Sequence, residues 1–78
     1  MKEDKLREYF NLYTDCWKFF RKYAELIGQM EEEQFWQQAV NESEELFRKY
    51  QKSEFAKKML AATMGELDEI YKKYVRRR

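Results

Sequence analysis

Tyr50-Gln51-Lys52-Ser53-Glu54-Phe55 is the stretch on which the fold turns. It holds neither glycine nor proline, and only Ser53 marks a break, through a hydroxyl able to cap a helix N-terminus. Apolar residues recur at helical spacing on both sides. Upstream, Phe35, Trp36, Ala39, Val40, Ser43, Leu46, Phe47 and Tyr50 gather on an arc of about 140°. Downstream, Ala56, Met59, Leu60, Thr63, Leu67, Ile70 and Tyr74 form a second stripe. In one uninterrupted helix the two would stand roughly 120° apart around the axis, and no single surface could bury both. A turn over residues 51–54, with Ser53 as N-cap, faces both inward. A bent helix or a domain-swapped dimer also reconciles the phases.

Working back toward the N-terminus, Gly28 follows the last apolar position of an earlier helix, where a left-handed residue commonly ends one. Glu31, Glu32 and Glu33 then place carboxylates in a first turn, where the helix dipole favours them. Before Gly28, Leu6, Phe10, Tyr13, Trp17, Phe20, Ala24 and Ile27 recur at alternating intervals of four and three and make the main apolar stripe. A second ridge, Leu12, Phe19 and Leu26, runs beside it, with Tyr9, Cys16 and Tyr23 between. The combined arc of roughly 200° requires at least two neighbours. The pattern therefore predicts an all-α, small antiparallel three-helix bundle in one domain over residues 1–78, with helices at about 3–27, 31–51 and 54–75. Gly65 falls opposite the third stripe, either tolerated at about 1 kcal/mol or marking a close contact.

Composition narrows the function by exclusion. The 78 residues are 44% hydrophobic, 40% charged and 18% aromatic, with no proline and two glycines, too few turn residues for many short strands. No histidine is present, which removes the commonest general base and metal ligand together with every Ser-His or Cys-His nucleophile. No metal or organic cofactor is implied, and the chain is read as noncatalytic. No window approaches the roughly 20 apolar residues of a membrane span, and the charged opening residues lack a signal-peptide core. With the lone cysteine, Cys16, these features suggest a soluble protein of the reducing cytoplasm, its thiol inert within the apolar arc. Met30, Met59 and Met64 read as core filling.

Fourteen aromatic rings exceed what three short helices easily enclose, so an apolar margin is expected to remain outside. Leu12, Phe19, Tyr23 and Leu26 on the flank of the first helix, with Phe35 and Phe55 at the starts of the others, are the expected margin. That flank either faces the other helices of its own chain or forms a seam with a partner protein, possible self-association as a homodimer included. A second candidate surface is acidic: Glu31, Glu32, Glu33, Glu42, Glu44 and Glu45, in a stretch without a basic residue, could steer a basic partner or simply be solvated. A third is basic: Lys72, Lys73, Arg76, Arg77 and Arg78 could contact nucleic-acid phosphates beside Tyr71 and Tyr74, or be neutralised within the bundle. A formal charge of +1 provides no global field for nucleic acid.

The reading that follows is a protein-protein interaction module, with a nucleic-acid-associated accessory protein as the alternative. In size, aromatic richness and want of catalytic residues, the chain resembles small accessory or inhibitor proteins of bacteriophages and other mobile elements, anti-CRISPR proteins among them.

Overall fold

The computed structural model describes residues 3–76. Three helices follow one another: α1 over Glu3–Leu26, α2 over Glu32–Lys49 and α3 over Glu54–Arg76. Gly28 takes φ +84° after α1, the left-handed conformation expected where the helix stops. The Tyr74 ring lies directly over it, so a Cβ there would stand 2.6 Å from the phenolic oxygen. Glycine is thus required at position 28 by conformation and by space together.

The turn over residues 50–53 is a Schellman motif built without glycine. The Gln51 N–H donates to the Arg48 carbonyl at 3.0 Å and the Lys52 N–H to the Phe47 carbonyl at 2.9 Å. Gln51 and Lys52 both adopt left-handed backbone, at φ 57° and 55°. Ser53 then caps α3, its hydroxyl oxygen accepting from the Ala56 N–H at 3.1 Å. The second helix ends at Lys49, two residues short of the expected end, because this motif already consumes Tyr50 and Gln51.

The result is the expected three-helix bundle, 49 × 19 × 17 Å. α2 is antiparallel to both neighbours, while α1 and α3 run parallel at a constant offset. Tyr9 meets Phe55, Cys16 meets Thr63 and Gly28 meets Tyr74, one pair per level. The interior divides into two clusters. One packs Phe19 and Tyr23 of α1 against Phe35 and Ala39 of α2 and Leu67 and Tyr71 of α3. Its rings interlock, with centroids 5.0 Å apart for Phe19 and Tyr23, 5.7 Å for Tyr23 and Phe35 and 5.2 Å for Phe35 and Tyr71. The other gathers Leu12, Cys16, Tyr50, Ala56 and Leu60, and Leu46 packs against both. Fully buried Ala39 and Ala56 lend the small side chains that let helices close on those rings. Gly65 faces open space, so it marks no close contact.

Candidate interaction surface

The orientation of α1 about its own axis decides which of its apolar residues are available. Two pairs tie it to α2: Lys22 to Glu42 at 2.8 Å and Lys49 to Asp15 at 2.7 Å. Tyr50 adds a third tie, donating its phenolic hydrogen to the same Asp15 oxygen at 2.5 Å. Burial raises the Asp15 carboxyl, but hydrogen bonds from Lys49 and Tyr50 outweigh it and hold the group below its ordinary value. Burial, then the Asp15 carboxylate, push the Tyr50 phenol well above the usual tyrosine range. Asp15 and Lys22 share one edge of α1, and seating that edge on α2 turns the Leu12, Cys16, Phe19, Tyr23 side inward.

This corrects the expected margin. Leu12 is 2% exposed, Phe19 3%, Tyr23 2% and Phe35 0%, so these side chains are core. Leu26 is half-buried against the Phe19 cluster, and Phe55 is half-buried with its ring edge-on to Tyr9 and Tyr13. The other half of the α1 arc is the one left outside. Leu6 is 54% exposed, Phe10 67%, Tyr13 52% and Trp17 57%. Sequence reasoning placed these residues on the main apolar stripe of α1 and expected the uncovered margin on the flank beside it. The reason for the reversal is that an arc of roughly 200° contains two equally apolar halves, and the polar anchor at Asp15 chooses between them.

The exposed stripe continues into a groove between α1 and α3, walled by Tyr13, Trp17 and Phe20 on one side and Met59, Ala62 and Glu66 on the other. Trp17 and Phe20 stack at the rim with centroids 6.4 Å apart. At about 150–250 Å² per aromatic side chain, the uncovered parts of Phe10, Tyr13 and Trp17 together with Leu6 present on the order of 400 Å² of apolar surface. A contiguous patch of that size is commonly functional. Cys16 lies at the groove floor, where burial pushes its thiol up despite the opposing pull of Thr63, and Asp15 pushes it further. The thiolate needed for reactivity is thereby disfavoured.

The two charged candidates come apart in three dimensions. Glu31, Glu32, Glu33, Glu44 and Glu45 are exposed, but Glu42 turns toward α1 and is engaged by Lys22. Lys72, Lys73 and Arg76 are exposed on the last turns of α3, with Lys72 held by Asp68 at 3.0 Å. That ion pair keeps the Lys72 ammonium above its ordinary value. Arg77 and Arg78 lie outside the described residues.

The Asp15, Lys49, Tyr50 constellation escaped the sequence reading. Its signal was present: Asp15 interrupts the edge of the apolar arc one residue before Cys16, and Tyr50 ends the stripe of α2. Among the described residues, no group of three or more His, Cys, Asp or Glu side chains could hold a metal ion, and no helix is long and apolar enough to cross a membrane. No protein-family model, curated protein or solved structure matches the chain.

Proposed function

We propose that this protein is a noncatalytic interaction module that binds protein through the uncovered half of the α1 apolar arc, Leu6, Phe10, Tyr13 and Trp17. One observation carries the reading: four large apolar side chains, each more than half exposed, occupy a single face of a helix whose adjoining face is already a closed core. Their spacing of four and three is that of residues meeting another helix, and aromatic anchors of this type dominate binding energy at interfaces. A small accessory or inhibitor protein of a bacteriophage or other mobile element fits such a module. So does action in the reducing cytoplasm, where the free and buried Cys16 suits the surroundings.

Replacing Trp17 or Phe10 by glutamate tests the proposal. Because both side chains are exposed, helicity is expected to match the parent and the free energy of unfolding to stay within about 0.5 kcal/mol of it. Binding to partner protein is expected to fall by a factor of about 30 or more. Retained binding by both variants, or its loss on replacing Lys73 and Arg76 instead, would transfer the function to another surface.

A further inference from the structure

We propose that the polar cleft between α1 and the α2–α3 turn is a binding site for a small neutral saccharide. On α1, Glu8, Asn11, Asp15 and Lys18 follow at intervals of three, four and three, so they share one edge of the helix, apart from the exposed apolar stripe. The inference therefore stands independently of the interaction-module reading. The C-terminal end of α2 brings Lys49 and Tyr50 to the cleft, and the turn adds Gln51. Its volume is about 470 Å³, within the range of about 300–1,000 Å³ usual for small-molecule sites.

The lining selects the ligand by elimination. Among the described residues, all eight that line the cleft carry a hydrogen-bonding side chain, so a hydrophobic molecule finds no apolar wall to bury against. Two carboxylates, Glu8 and Asp15, stand with two ammonium groups, Lys18 and Lys49, and the formal charges cancel, which leaves no net field to hold a simple ion. Asp15 and Lys49 already satisfy each other at 2.7 Å. Glu8 and Lys18 are about 15 Å apart along α1, too far for the two charges of one amino acid. What fits is an uncharged molecule with many hydroxyls, each of which donates and accepts. The cleft offers both kinds of partner. Lys49 and Tyr50 both bind Oδ2 of Asp15, so Oδ1 has no hydrogen bond among the described residues and is available as an acceptor. Thr14 gives its hydroxyl hydrogen to the Phe10 carbonyl at 2.9 Å, and its oxygen keeps a lone pair. Lys18 enters no ion pair among the described residues and supplies donors. The Asn11 and Gln51 amides each set a donor beside an acceptor, as two neighbouring ring hydroxyls require.

Gln51 adds a separate observation. Its left-handed backbone, φ 57°, is one that glycine adopts without strain, and the Schellman motif itself needs no side chain there. A side chain held at that cost on the wall of a cleft accords with a binding role.

Titrating maltose and trehalose into the full, nitrogen-15-labelled chain, with backbone amide shifts as the readout, tests the proposal. At least one disaccharide should give saturable shifts at Asn11, Thr14, Asp15 and Gln51, with a Kd of about 1–10 mM, as expected of an open, hydrated site. Inorganic phosphate and glycine, at matched ionic strength, should give no saturable shift there. Asn11→Ala should weaken saccharide binding about tenfold. Gln51→Gly should weaken it about as much while raising the urea midpoint, so that affinity and stability move in opposite directions. The inference is overturned by no saturable shift with either disaccharide up to about 100 mM, by tighter binding of phosphate or glycine, or by unchanged affinity in either variant.

Discussion

Replacing Gln51 by glycine distinguishes the turn from a continuous helix by the sign of its effect. Gln51 sits at φ 57° immediately after the Tyr50 cap, with its N–H bound to the Arg48 carbonyl. A side chain in that conformation costs about 1 kcal/mol or more, from which glycine is free; glycine's greater loss of chain entropy returns part of the gain. The net expectation is a stabilisation of roughly 0.5–1 kcal/mol, equivalent to a rise in Tm of about 2–8 °C for a chain of this size. Gln51→Ala should give no gain, because its Cβ keeps the strain. If α2 and α3 were one helix, the order would invert, with glycine destabilising by about 1 kcal/mol and alanine stabilising. Urea titration followed at 222 nm reads the difference directly. A lower midpoint for Gln51→Gly than for Gln51→Ala would refute the reversal at this turn.

The two glycines should respond oppositely to alanine. Gly28→Ala meets both a positive φ and the Tyr74 ring, so a loss of about 2 kcal/mol or more is expected in the same titration. Gly65→Ala enters open space within α3 and should gain about 1 kcal/mol. Ser53→Ala removes the α3 cap and should cost about 1 kcal/mol by thermal unfolding. The Asp15 carboxyl titrates below its ordinary value in the folded chain, so its contribution is present at neutral pH and is lost as pH falls through the folded value. Asp15→Asn should therefore be about 1–2 kcal/mol less stable than the parent at pH 7. The gap should close as pH falls through the lowered carboxyl value; a gap independent of pH would argue against the Lys49 and Tyr50 contacts.

How much of this was legible in the sequence differs from element to element. The phase of the two stripes around residues 51–54 demanded a break that no strong turn residue announced, and the Ser53 hydroxyl, the one signal there, supplies the expected cap. The left-handed pair Gln51 and Lys52 carries no compositional mark, since neither glycine nor asparagine stands there. The candidate surface was mislaid for a different reason. Periodicity measures which residues share a face but is silent on which of two adjoining apolar faces turns inward. On α1 that choice falls to Asp15 and Lys22, whose partners Lys49, Tyr50 and Glu42 lie on α2 or at its C-cap, far along the chain. Leu12, Phe19 and Tyr23 went inside with them, and Phe10, Tyr13 and Trp17 came out.

The exposure of Trp17 is the point at which the orientation of α1 and its role as a binding face meet. With Trp36 replaced by phenylalanine, Trp17 becomes the sole indole, and acrylamide quenching of its fluorescence can be followed against protein concentration. The account predicts a red-shifted, readily quenched indole in the dilute chain. An indole already shielded at the lowest concentration in a sedimenting monomer would contradict it.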